Sequence, residues 1–155
     1  MNKFLDYGYD DIVCPIDLDL PIVEEHDGIR VVRDDLLAGG TKRRAFTMYV
    51  SSRPDVKEFV YASPRQGYAQ LSLAYVCKDL GKKATVFVPR GERHWLTNKS
   101  EELGAKIIEV PMGYLNVIQS ASKQYVGKTK GSHLIPFGGD HPIIIEAMKN
   151  TALSL

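Results

Sequence analysis

The stretch Lys57-Glu58-Phe59-Val60-Tyr61-Ala62 is followed by the loop Ser63-Pro64-Arg65-Gln66 and then by Gly67-Tyr68-Ala69-Gln70-Leu71-Ser72-Leu73-Ala74-Tyr75-Val76-Cys77-Lys78-Asp79-Leu80. After Gly81 comes Ala84-Thr85-Val86-Phe87-Val88-Pro89. The first and last of these segments predict strands. Between them, Ala69, Leu71, Leu73, Ala74 and Val76 predict a helix over 67–80, and Gly81 is the residue expected just past its end. A strand, a helix and a strand joined by connections this short make a right-handed βαβ unit of a parallel sheet. The two strands read as continuous apolar runs, as in a sheet covered on both faces.

The same alternation continues downstream. A helix is predicted over 93–103, stopped by Gly104, and a strand over Lys106–Val110. A helix over 114–126 is expected to stop at Gly127, and a strand follows over 133–136. The last helix runs from Pro142 to Leu153, with proline at a favourable first-turn position. Upstream, Ile29–Arg33 is a short β-branched strand. Thr41–Ser51 is a helix with Thr41 as its N-cap, ended by Arg53-Pro54-Asp55. Residues 1–28 read as an irregular lead-in punctuated by Pro15 and Pro21, with one short strand near Ile12–Cys14. The expected architecture is α/β: an open parallel sheet in three αβα layers, within one domain over residues 29–155.

Composition narrows the function classes. The 155 residues are 44% hydrophobic and 25% charged, with a formal net charge of +1, so nothing points to a polyanion partner such as nucleic acid. Cys14 and Cys77 form no CxxC pair, and two cysteines make no disulfide framework; they read as reduced thiols of a cytoplasmic protein. No apolar run approaches about 18 residues, so no membrane span is expected. His26, His94, His133 and His141 show no metal-ligand spacing.

Three stretches carry candidate chemistry. Arg33-Asp34-Asp35-Leu36-Leu37-Ala38-Gly39-Gly40-Thr41-Lys42-Arg43-Arg44 passes through two glycines into a helix. Lys42 then sits in the first helical turn, where the macrodipole disfavours a cation. It is either a solvated lysine paired with Asp34 or Asp35, or a nucleophile activated by burial and by Arg43 and Arg44. Ser63-Pro64-Arg65-Gln66-Gly67-Tyr68-Ala69-Gln70 joins a strand end to a helix start. That is where open α/β sheets bind ligands, and where free backbone N–H groups suit a carboxylate or phosphate. Pro136-Phe137-Gly138-Gly139-Asp140-His141-Pro142 is a second such junction, readable as an anion-wrapping loop or as a turn with an aspartate cap.

The lysine stretch resembles the lysine motif of fold type II (tryptophan synthase β-like) pyridoxal-phosphate enzymes, nearest the aminocyclopropane-carboxylate deaminase and D-cysteine desulfhydrase branch. The order of elements from about Ile29 onward fits as well. The resemblance implies pyridoxal 5'-phosphate as cofactor, with Lys42 forming its Schiff base and then acting as base. It also implies cofactor contacts from Gly39, Gly40 and Tyr68. In the family the second stretch carries a Ser-Asn-His or Gly-Asn-His signature that holds the substrate carboxylate. Here Gly67 falls at the Ser or Gly position and Tyr68 at the Asn position. This departure implies a loop of its own, in which Ser63, Arg65, Gln66 and Gly67 bind substrate beside Tyr68. The Pro-x-Gly-Gly segment at 136–139 matches one near the family's active-site opening.

The implied reaction is deamination or a related elimination on a small amino acid. The family's Gly/Ser/Thr-rich phosphate loop belongs to a second half for which this sequence has no counterpart. The expectation is therefore the N-terminal part of such an enzyme, incomplete on its own, with another chain or a lost segment supplying the rest; the partner expected is a complementary chain or a second copy in a homo-oligomer. A non-catalytic relative serving as an interaction domain is the second reading, and a flavodoxin-like small-molecule binder the third.

Overall fold

The computed structural model describes residue 18 and residues 20–111 and 113–155. The strand expected near Ile12–Cys14 lies outside the described residues. The first element is a β-hairpin, β1 (Val23–His26) antiparallel to β2 (Ile29–Val32). Its turn places Asp27 at φ 49° and Gly28 at φ 79°, the left-handed pair that a two-residue hairpin requires. Residues 23–26 are thus a strand rather than irregular lead-in. The strand read at Ile29 pairs with this neighbour and stays apart from the main sheet.

The main sheet has four parallel strands in the order β5-β4-β3-β6: β3 (Glu58–Ala62), β4 (Lys83–Pro89), β5 (Lys106–Val110) and β6 (Ser132–Leu134). The connecting helices are α1 (Thr41–Ser51), α2 (Ala69–Asp79), α3 (Trp95–Glu102), α4 (Leu115–Lys128) and α5 (Pro142–Leu153). The three-layer α/β architecture is as expected from sequence. Strand residues alternate between two cores because successive side chains leave opposite faces of a strand. Phe59, Tyr61, Val86 and Val88 join Phe46, Tyr49, Leu73 and Ile144 on one face. Val60, Ala62 and Phe87 meet Val110 and Ile118, the last from α4, on the other. The first core is the larger, and α1 packs between α2 and α5.

Two local expectations are corrected. Helix α4 runs through Gly127 to Lys128. A methyl group there would meet nothing, so the glycine's cost is only its backbone freedom, about 1 kcal/mol. The aspartate cap expected at 140 is supplied instead by His141, whose Nδ1 accepts from the Ile143 N–H at 3.2 Å. Among the described residues, no helix is long and apolar enough to cross a membrane.

Candidate functional site

The N-terminus of α1 is set by its two glycines. Gly40 takes the N-cap position expected for Thr41, with φ 66° and ψ −172°, a region essentially closed to residues with a side chain. The backbone there approaches the 63–70 loop closely. A Cβ on Gly40 would stand 3.0 Å from Tyr68 Cε1, so the ring lies against the bare backbone. One residue earlier, the Gly39 carbonyl accepts from the buried Ser72 hydroxyl at 2.5 Å. Two of the three stretches, far apart in sequence, thus form one structure at the carboxyl edge of the sheet. That is the edge expected to bind ligands.

Lys42 lies three, four and seven residues before Ala45, Phe46 and Tyr49, which are all at most 1% exposed. Helical spacing puts these residues on one stripe, the stripe that faces the sheet. Lys42 continues it one turn upward and is itself half-buried. The two arginines beside it go elsewhere. Arg43 reaches Asp79 at 2.7 Å and the Ala38 carbonyl at 2.9 Å, and stacks on the Tyr75 ring. Arg44 pairs with buried Asp34 at 3.2 Å. Asp35 is held by Arg33 at 2.9 Å. The two acids that could have neutralised Lys42 are therefore taken, and its amino group has no hydrogen-bond or ion-pair partner among the described residues.

The 63–70 loop is tied from within. Ser63 is fully buried, and its hydroxyl donates to the Pro64 carbonyl at 2.9 Å, turned away from solvent. Gly67 is packed against it: a Cβ there would fall 2.5 Å from Ser63 Oγ and 2.9 Å from Pro64 Cδ. Arg65 donates to the Arg90 carbonyl at 3.2 Å and lies over Gly91. Gln66 is exposed, and Tyr68 is 42% exposed, edge-on to Trp95 at 6.4 Å. No side chain caps α2, so its first N–H groups face the edge of the sheet.

Sequence reading missed the residue that holds this loop in place. Gln70 is fully buried. Its amide donates to the Gly67 carbonyl at 3.0 Å and the Arg65 carbonyl at 3.3 Å, and its Oε1 accepts from Thr97 at 2.9 Å. A polar residue on a stripe of alanine and leucine was the available signal. The third stretch closes the same edge. Residues Phe137–Gly139 form one 3₁₀ turn, Phe137 stacks on Tyr61 at 6.3 Å, and the Gly138 N–H points at the Tyr61 hydroxyl. Cys77 is buried, which pushes its thiol up to about 12 and keeps it unreactive at neutral pH. Among the described residues, no cluster of His, Cys, Asp and Glu could hold a metal ion.

No family model and no curated protein matches the sequence. Solved structures do. A threonine deaminase from T.th. is 21% identical with a TM-score of 0.65, over 79% of this chain and 39% of its own. An ACC deaminase homologue is 16% identical with a TM-score of 0.69, over 79% of this chain and 41% of its own. The fungal L-serine ammonia-lyase from Rhizomucor miehei is 15% identical with a TM-score of 0.68, over 88% of this chain and 47% of its own. This chain spans less than half the length of each. Identities this low speak for the fold alone. The chain has the α/β fold these enzymes share, and its resemblance to fold type II pyridoxal-phosphate enzymes holds at that level.

Proposed function

We propose that the chain is one part of a pyridoxal-phosphate-dependent lyase or deaminase acting on a small amino acid. One observation carries the reading. Lys42 is half-buried on the sheet-facing stripe of α1, at the carboxyl edge of the sheet, with Asp34 and Asp35 already paired with Arg44 and Arg33. The threonine, ACC and L-serine enzymes named above supply the reaction class.

The residues present fit one end of the cofactor. Lys42 fits the aldehyde, and the open backbone at Gly39–Gly40 lets a ring approach as closely as Tyr68 does now. When bound, the cofactor supplies an electron sink for a carbanion at the substrate α-carbon. Lys42 holds it and moves the proton at that carbon. The uncapped N–H groups before α2, with Gln66 and Arg65 beside them, bind the substrate carboxylate. Ser63 and Gly67 act one step back by shaping the loop, and Tyr68 covers the glycines. Nothing in these 155 residues answers to a phosphate-cradling Gly/Ser/Thr loop, which is why the reading assigns that end of the cofactor to a part outside them.

The test is the absorbance of the chain mixed with pyridoxal phosphate, beside Lys42→Ala. A visible band that survives dialysis in the parent and is missing in the variant supports the reading. The same weak band in both proteins sinks it for the chain alone.

A second reading, a non-catalytic interaction domain, is favoured by a different observation. The junctions after β3, β4, β5 and β6 each expose an aromatic residue: Tyr68, Trp95, Tyr114 and Phe137, at 42%, 57%, 71% and 44%. Exposed apolar groups gathered on one edge mark an interaction surface. Sedimentation as a lone monomer, alone and with candidate partners, would count against this reading.

A further inference from the structure

Across the sheet from Lys42, on the face covered by α4, lies a cavity of about 240 Å³ that the proposed chemistry does not use. Topology explains its place. The chain steps outward from β3 to β4 and β5, then returns through α4 and sets β6 on the free side of β3. Strand order reverses between β3 and β6. The crevice beyond the carboxyl ends of the strands at such a reversal is where open α/β sheets take ligands. The cavity sits there: Ala62 ends β3, Leu134 ends β6, and Pro136 and Phe137 follow.

Its walls select a chemistry. These four residues are apolar, and the Phe137 side chain is 44% exposed. Phe137 stacks on the buried Tyr61 ring, with the two planes within 10° of parallel, so it is a braced platform. On α4, Gln119 and Lys123 stand one turn apart on one helix face, and both line the cavity. Lys123 is the only charged residue among the described residues that line it, and α4 carries no acidic residue along its length. Neither the Lys123 ammonium nor the Gln119 amide has a hydrogen-bond or ion-pair partner among the described residues. Ser122 is turned aside, its hydroxyl donating to the Gln119 carbonyl at 2.8 Å.

Two free donors side by side at the rim of apolar walls match the two oxygens of a carboxylate, and one of the donors is charged. A flat ring can pack against Phe137 in an offset or edge-on arrangement. No carboxylate lines the cavity to receive an ammonium. We infer that this crevice binds a small aryl carboxylate without an amino group, its ring on Phe137 and its carboxylate on Lys123 and Gln119. The volume lies just below that of drug-sized ligand pockets, roughly 300–1,000 Å³, so one ring with a short acid arm fills it.

NMR titration of the full chain with 3-phenylpropanoate, read at the backbone amides, is the test. L-phenylalanine adds an ammonium to the same skeleton, and 3-phenylpropylamine replaces the carboxylate. The acid should saturate with a dissociation constant of about 1 mM or tighter, shifting the amides of Gln119, Lys123, Leu134 and Gly138. Phenylalanine should bind at least several-fold more weakly, and the amine should not saturate. Lys123→Met keeps the stem and removes the charge, and should weaken binding at least tenfold. Phe137→Ala should also weaken it several-fold. Lys128→Met, on the same helix but away from the cavity, should leave it unchanged. Absence of saturable binding, equal binding of phenylalanine or the amine, retained affinity in Lys123→Met or Phe137→Ala, or an equal loss in Lys128→Met overturns the inference. Binding is read without pyridoxal phosphate, so failure of the Lys42 absorbance test would leave this site standing.

Discussion

Helix α1 carries a cation near each end, and the two are treated differently. Arg53, just past the C-terminal end, is saturated. Its guanidinium lies 3.9 Å over the Tyr49 ring and donates to Ser52 Oγ at 2.8 Å, with His141 Nε2 3.4 Å away. A cation at that end also suits the helix dipole. Lys42, at the other end, opposes the dipole and has no partner among the described residues. The fold can pair cations with carboxylates: it does so for Arg33, Arg43 and Arg44, all within nine residues of Lys42. An unsatisfied one at the edge of the sheet is the place to look for chemistry.

The contrast can be broken by attacking what both ends share. Phe46 is fully buried between the two cations and abuts Gly139 and Tyr61. Phe46→Ala should cost about 3–5 kcal/mol in urea unfolding, with both ends affected together. Attacking the loop against Gly40 comes next. Gly67→Ala forces a methyl onto Ser63 Oγ and Pro64 Cδ, and should cost about 1–3 kcal/mol while also shifting Tyr68.

The saturated end makes a pH prediction. Burial and then Arg53 push the titration of both His133 and His141 below the ordinary imidazole range. The unfolded chain then binds more protons than the native one between each folded value and about 6.5. Their contribution to stability is present above that range and is lost as pH falls through the folded values. Denaturation at a series of pH values checks the sign, and Arg53→Met should raise both imidazole titrations by NMR. The smallest stability effect is expected at the other end. Lys42→Ala should change unfolding free energy by no more than about 0.5 kcal/mol, because no folded partner is lost. A large loss would mean that Lys42 is structural and would remove the contrast.

Much of this was legible in the sequence. The βαβ alternation is written as apolar runs closed by Gly81 and Gly104, and α1, β5 and α5 fall where their patterns put them. Strand β1 is hard to read because Val23-Glu24-Glu25-His26 is too polar to resemble a buried strand; the Asp27-Gly28 turn is the better signal. In the candidate site, the meeting of Gly40 with Tyr68 was foreseeable only through the family resemblance. The pairing of Arg43 with Asp79 and of Arg44 with Asp34 was not foreseeable, because each choice depends on side-chain directions in three dimensions. The same holds for His94 and His141, which cap α3 and α5 through their ring nitrogens.

Trp95 is the only tryptophan of the sequence, and it stands 57% exposed between Tyr68 and His94. The protein thus carries a built-in optical probe at the mouth of its candidate site. Its indole emission should start red-shifted, as a water-facing ring does, and move to the blue when anything covers that edge. It needs no label and leaves Lys42 untouched, so a fluorimeter can watch the edge being covered before the occupant is known.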